Sequence, residues 1–244
     1  MVKTASLLII GNEILSGRTE DQNLNYIAKG LSEIGVKFKE ARVVADIENE
    51  IIDAVNDLRK KYDYVFTTGG IGPTHDDITT STIAKTFGVE VIKNPDAMSR
   101  LEKAYEGRKM NQSSIKMAYL PEGASLIDNP VSGAPGFYIE NVYVMAGIPN
   151  IMQAMFDSVK FQIKGGKPIK SLELSGYVTE SKIANDLSQL QNEYPTIDVG
   201  SYPFVKNAKF GTSIVLRSSD EELLNEAFSK LEILFQKWEE NQNN

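Results

Sequence analysis

Apolar residues change their spacing repeatedly along this chain. Residues 5–10 form an apolar run broken only by Ser6 and ended by Gly11-Asn12; Leu24, Ile27, Leu31 and Ile34 then recur at helical intervals until Gly35. The run predicts a buried strand and the recurrence a helix. The alternation repeats, with a second strand over 36–44, a helix cap at Asp46, and a helix marked by Ile51, Ile52, Val55 and Leu58. A third strand over 64–67 leads through a glycine loop to a helix carrying Ile83, Ala84 and Phe87. Strands alternating with amphipathic helices predict an α/β fold, a mostly parallel sheet covered on both faces. Ligands of such sheets bind beyond the carboxyl ends of the strands.

Further on, residues 96–106 predict a helix, 111–117 form a polar stretch at helical spacing, and GFYIENVYVM predicts a hairpin turning at Glu140-Asn141. After Val144-Met145 the chain meets Gly147 and Pro149 at a helix start. Residues 161–171 (FQIKGGKPIKS) read as a linker. Beyond it come a strand over 172–177, a helix over 181–190, strands over 197–202 and 209–217, and a closing helix over 221–238; the Asn- and Glu-rich last few residues read as disordered. The expected organisation is a main domain over 1–164 and a small α+β domain over 171–240. Tyr202, Phe204 and Phe210 of the latter read as core.

Composition narrows the chemistry. With no Cys and a single His among 244 residues, thiolate nucleophiles, disulfides and Cys/His zinc sites are excluded. Any metal must sit on oxygen ligands. A net charge of −7 has the wrong sign for gripping a nucleic-acid backbone, so a small molecule is the expected partner. The first apolar run is too short for a signal-peptide core or a membrane span, which predicts a cytoplasmic protein with no membrane partner.

The strongest chemical signal is TTGGIGPTHDD, residues 67–77, set between a strand and a helix. Gly69, Gly70 and Gly72 permit positive φ and close approach, and with Thr68 and Thr74 they form an expected cradle for a phosphate at a helix start. No GK[ST] follows, so this is not a Walker A loop, and GxGxxG is incomplete. Asp76 and Asp77 adjoin the cradle. A carboxylate roughly 5 Å from a phosphate is repelled by about 3 kcal/mol at an effective dielectric near 20, against about 0.3–1 kcal/mol gained at a helix end. A bridging divalent cation held by Asp76 and Asp77 resolves that conflict; the competing role for one of the pair is to cap the helix beginning near Thr79. His75 reads as a loop residue in preference to a general base.

The loop GNEILSG, residues 11–17, follows the first strand and faces the same crevice by topology. Glu13 could orient a water or a metal there, and Ser16 and Gly17 could bond a phosphate or a ring. Ser132 and Gly133, in the turn SGAPG, and Asn111 and Lys116, on the polar stretch, are further substrate-binding candidates. A tight turn and a solvated face are their plain structural alternatives.

Together GNEILSG, TTGGIGPTHDD, NQSSIKMAYLPEGA, SGAPGF and AGIP resemble the molybdenum-cofactor-biosynthesis (MoCF) domain family. The nearest branch is similar to competence/damage-inducible protein A and the N-terminal half of bifunctional FAD synthases, and GSYP at 200–203 extends the likeness to the small domain. The resemblance implies a three-layer α/β/α, molybdopterin-binding-like fold. It also implies a divalent-metal-dependent nucleotide pyrophosphatase acting on an ADP-ribose- or FAD-like pyrophosphate, with Asp76, Asp77 and Glu13 as catalytic acids. Mg²⁺ or Co²⁺ is the implied metal, with K⁺ a further candidate ion. The alternatives are a molybdopterin-binding protein of cofactor biosynthesis and a non-catalytic nucleotide-binding protein. A homo-oligomer, a dimer, is expected on the same analogy. Asn12 departs from the pattern, which has Asp there. No segment encodes an amidase or an adenylyl-transfer domain, so neither activity is expected.

Overall fold

The structure, a computed structural model, describes residues 2–240. The final residues read as disordered fall at 241–244, outside the described residues. The chain divides into two compact units, one ending at Gly166 and the other beginning at Lys167.

In the first unit β1 (Lys3–Ile10), α1 (Asn12–Leu15), α2 (Asn23–Glu33), β2 (Val36–Val44), α3 (Glu48–Lys61), β3 (Tyr64–Thr68) and α4 (Thr79–Phe87) follow in order. After them come β4 (Val91–Lys93), α5 (Pro95–Tyr105), α6 (Gln112–Lys116), β5 (Tyr119–Pro121), β6 (Ser125–Ile127), β7 (Gly136–Ile139), β8 (Val142–Met145) and α7 (Pro149–Lys160). The main sheet has the order β2-β1-β3-β8-β7-β6. Its first four strands are parallel, and β7 runs antiparallel to both its neighbours. β4 and β5 pair separately.

β1 explains the apolar run. Ala5, Leu7 and Ile9 pack with Ile27 and Leu31 of α2 and Met152 and Phe156 of α7. Leu8 and Ile10 point the other way, onto Ile51, Val55 and Leu58 of α3, Ile83 of α4 and Leu101 of α5. Successive side chains alternate between faces, so a strand covered on both sides must be apolar throughout. Each fully buried Leu or Ile contributes about 1.5–3 kcal/mol. This is the three-layer α/β/α arrangement expected from the sequence.

The layering also places a crevice. α2 and α7, which follow β1 and β8, lie in one layer, while α4, which follows β3 between them, lies in the other. Connections that leave neighbouring strands toward opposite faces open a cleft at their carboxyl ends.

The second unit comprises β9 (Lys170–Gly176), α8 (Glu180–Glu193), β10 (Asp198–Lys206), β11 (Lys209–Ser218) and α9 (Glu221–Glu240). Its antiparallel sheet, β10-β11-β9, packs Ile214 and Leu216 against Ile183, Leu190, Leu224 and Leu231 of the helices. Tyr202 and Phe210, read as core, are exposed instead. Tyr202 lies out of phase with the core-facing residues of the paired strand, opposite Ser213, and Phe210 stands at the hairpin tip opposite Val205. Alternation along the strand decided the side Tyr202 took, and position at the tip of the hairpin left Phe210 uncovered.

Candidate functional site

Three strand-ending turns meet at the crevice. The Gly11 amide donates to the Val44 carbonyl at 3.2 Å and the Gly69 amide to the Met145 carbonyl at 3.1 Å. Gly69 has φ of 105°, and a Cβ there would lie 2.1 Å from the Ile10 carbonyl oxygen. A Cβ on Gly147 would lie 3.2 Å from the Gly69 Cα. The turns after β1, β3 and β8 therefore pack backbone on backbone, and glycine is the residue that permits it. The sequence reading gave Gly69 to ligand approach; what a side chain would first meet there is the protein itself. The same holds for Gly70, with φ of 66°, where a Cβ would come within 2.2 Å of the Thr79 hydroxyl.

On the α4 side the Thr79 amide donates to the Gly70 carbonyl at 3.0 Å. The residue before the helix is Ile78, and no side chain caps α4. Neither Asp76 nor Asp77 takes the capping role allowed by the sequence. Instead the Asp77 Oδ2 accepts the Thr74 amide at 2.7 Å, closing the loop on itself. The Thr80 and Ser81 amides of α4, which a cap would have satisfied, remain for another acceptor. They open beside a pocket of about 480 Å³, its open mouth included, whose polar wall is Gly72, Asp77, Thr80, Ser81 and Lys116. Its apolar floor includes Leu120 and Phe137.

Lys116 reaches this loop from α6. Its Nζ donates to the carbonyls of Thr74 at 2.9 Å and Asp77 at 3.3 Å, so it ties the loop down while adding positive charge to the pocket. Asn111 serves α6 itself: its Oδ1 accepts the Ser114 amide at 2.7 Å and the Ser114 hydroxyl at 2.9 Å, an N-cap. The Thr74 hydroxyl stands 2.6 Å from an oxygen of Asp76 and 2.5 Å from one of Asp77, so both carboxylates converge on one proton. Donation from Thr74 and the backbone amide of Asp76 itself, helped by His75 and Lys116, lower the Asp76 pKa below the ordinary range. His75 is an exposed loop residue, as the sequence suggested.

On the β1 side the expected loop 11–17 contains the short helix α1. The Glu13 carboxylate folds back over Gly11, where a Cβ would lie 2.5 Å from its Oε1. Ser16 donates to the Glu13 carbonyl at 3.2 Å, and Gly17 turns the chain at φ of 72°. Asp46, read as a helix cap, does otherwise: α3 is preceded by Ile47 without a side-chain cap, and the Asp46 Oδ2 accepts the Asn12 amide at 2.9 Å. The end of β2 thus brings a carboxylate to the residue where the family pattern has Asp. Asn23, buried at the start of α2, donates through Nδ2 to the Gly147 carbonyl at 2.8 Å. It went unnoticed in the sequence because its partner is far along the chain.

The structure distributes the other candidates. Glu13 and Thr68 line one small pocket with Asn23; Gly72, Asp77 and Lys116 line the α4 pocket. Ser132 and Gly133 line a third cavity, over α5, with Arg100, Lys103 and Arg108. There Asn129 holds the turn, its Nδ2 donating to the Ser132 hydroxyl at 2.6 Å and the Ala134 carbonyl at 2.8 Å.

A hard divalent cation is compatible with Asp76 and Asp77, since both offer carboxylate oxygens on one loop. Among the described residues no three His, Cys, Asp or Glu side chains gather as a metal site. Water and ligand phosphate would have to complete the coordination, as Mg²⁺ sites commonly require.

Residues 6–164 match the family model described as "Probable molybdopterin binding domain". The chain belongs to this molybdopterin-binding-domain family. Residues 168–243 match the FAD synthase middle domain. A protein of Archaeoglobus fulgidus is 35% identical over 199 residues, 81% of this chain and 84% of that one. A competence-damage inducible protein of Clostridium botulinum is 31% identical, and the match spans 89% of this chain but 55% of the relative. Among solved structures, CinA from Thermoplasma acidophilum, described as of unknown function, superimposes with a TM-score of 0.62 at 33% identity, covering 66% of this chain and 98% of that one. In this molybdopterin-binding-domain protein, the matched region contains every strand and turn that forms the crevice. No helix of the described residues is long and apolar enough to cross a membrane.

Proposed function

We propose that this chain binds a phosphorylated small molecule of the pterin or nucleotide type, its phosphate resting at the α4 side of the crevice. The observation that carries the reading is the first turn of α4, which has no side-chain cap and opens beside Gly72, Asp77 and Lys116. Orphan amides, the helix dipole and a lysine supply donors and positive potential together. The family match supports molybdopterin as one such ligand. In this reading the protein holds the molecule for cofactor biosynthesis or delivery.

A second reading, hydrolysis of an ADP-ribose- or FAD-like pyrophosphate, is favoured by the convergence of Asp76 and Asp77 on Thr74. These two residues would hold Mg²⁺ or Co²⁺, which supplies charge neutralisation for the phosphates when bound. Water would add to phosphorus as the bridging P–O bond breaks, releasing two monophosphates, with Glu13 the candidate to orient that water.

Calorimetric titration with ADP-ribose, FAD and a molybdopterin precursor, with and without metal, tests the first reading; AMP release tests the second. Binding without release supports a binding protein. Metal-dependent release that disappears in Asp77→Asn, while ligand affinity persists, supports the hydrolase. Absence of binding to every phosphorylated ligand would overturn both.

A further inference from the structure

The pocket on the opposite, β1 side of the crevice has a different chemical character. It occupies about 330 Å³ including its mouth, between the ends of β1, β3 and β8 and the start of α2. Two polar side chains form its buried wall: Thr68 is 1% exposed and Asn23 4%. The Thr68 Oγ1 and the Asn23 Oδ1 have no hydrogen-bond partner. Because Nδ2 of Asn23 is committed to the Gly147 carbonyl, the orientation of the amide is fixed and its acceptor oxygen is left without a partner at the pocket wall. Buried acceptors without partners are costly and are normally satisfied by a ligand or an ordered water.

The remaining polar wall carries Thr19, Gln22 and the acidic Glu13, Glu20 and Asp21, the last accepting the Leu24 amide at 2.9 Å. No Lys, Arg or His lines the pocket. Its potential therefore rejects phosphate, by the same like-charge repulsion that disfavours phosphate beside an unneutralised carboxylate. A metal cage is not its design either, as no three acidic or imidazole ligands converge among the described residues. What fits a wall in which acceptors predominate, between the apolar side chains of Ile9, Ile10, Ile14 and Pro149, is the N–H-bearing edge of a flat heterocycle.

We propose that Asn23, Thr68 and Glu13 form the specificity pocket for the amino edge of the ligand's ring, with the phosphate held on the α4 side. This rests on the binding function proposed above. An exocyclic amine with an adjacent ring nitrogen is shared by pterins and adenine, so two pairs of probes separate the sources. ADP is compared with inosine diphosphate, and pterin with lumazine; in each pair the second compound replaces the amino group by oxygen.

Titration of the full chain with all four probes is expected to show a preference of about tenfold for the amino member of at least one pair, the usual penalty for leaving a designed buried contact unpaired. Thr68→Val preserves shape and removes the orphan hydroxyl. It is expected to keep or raise the melting temperature while cutting the preference to below about threefold. If that variant fails to fold, Glu13→Gln, at the exposed rim, is expected to weaken the same preference. Wild-type protein that binds both members of each pair equally would overturn the pocket assignment and leave the binding function standing. Wild type that binds none of the four, nor ADP-ribose or FAD, would defeat the binding function as well. A folded Thr68→Val with wild-type selectivity would overturn the role of Thr68.

Discussion

The two ends of the main sheet are built differently. At the amino end, polar groups are paired within the protein: the Asp63 carboxylate accepts Lys3 Nζ at 2.6 Å and the Thr4 amide and hydroxyl at 2.9 Å each. Nearby, Asn141 Nδ2 donates to the carbonyls of Arg59 and Tyr62 at 3.0 Å, and Tyr64 donates to the Lys164 carbonyl at 3.1 Å. At the carboxyl end, buried oxygens of Asn23, Thr68 and Thr79 have no partner and α4 has no side-chain cap. The buried Ser6 hydroxyl in the amino half of β1 also lacks a partner, so the contrast is one of degree: spare hydrogen-bonding capacity gathers at the carboxyl end, and with it recognition. Locally unsatisfied groups are where function departs from the stable optimum.

The comparison breaks first at Gly69, which is at the recognition end but serves packing. Gly69→Ala is expected to cost about 3 kcal/mol or more, from the Ile10 oxygen contact and the positive φ together; chemical denaturation measures it. A fully stable variant would show that the turns do not pack as described. Gly70→Val, which contacts Thr79, is likewise expected to damage folding, so loss of ligand binding by that variant alone would not locate the phosphate.

Asp63→Asn tests the opposite end. Lys3 and the Thr4 donors hold the Asp63 carboxyl at about 2, below its ordinary 3.8. The depressed folded-state value means that its contribution is present above about pH 4 and is lost as pH falls toward 2. After allowance for solvent screening, the variant is expected to lose about 1–2 kcal/mol at neutral pH and to converge with wild type in acid. Denaturation curves against pH check the direction, and nucleotide affinity is expected to be unchanged. A loss of affinity without a loss of stability would reverse the contrast between the ends.

Lys116→Met is expected to have the smallest effect on folding, under about 1 kcal/mol for an exposed residue, yet to weaken phosphate-bearing ligands by about tenfold. The readout is affinity for ADP against adenosine: only the phosphate increment should fall. Equal loss for both would make Lys116 a loop fastener alone.

Much of the architecture was legible because periodicity reports burial directly. The largely apolar β1 required cover on both faces, and the spacing of Leu24, Ile27 and Leu31 required one helical face. The short strands β4, β5 and β6 escaped, since three residues establish no period, and α1 was hidden in a glycine-bounded loop. At the candidate site, the sequence showed the glycine turns and placed Glu13 and the Asp76-Asp77 pair on them. Their grouping into separate pockets was not legible.

The amino-acid sequence by itself determined which segments must be buried and where the chain must turn, because both follow from local spacing and from the conformational freedom of glycine. Only the tertiary structure decided how polar groups were shared out. Asp46 could cap its own helix or bond Asn12, Asp77 could cap α4 or close on Thr74, and Asn23 needed Gly147 from 124 residues away. Each choice is a competition among hydrogen-bond partners of similar strength, and distance in space, which sequence order does not encode, selects the winner.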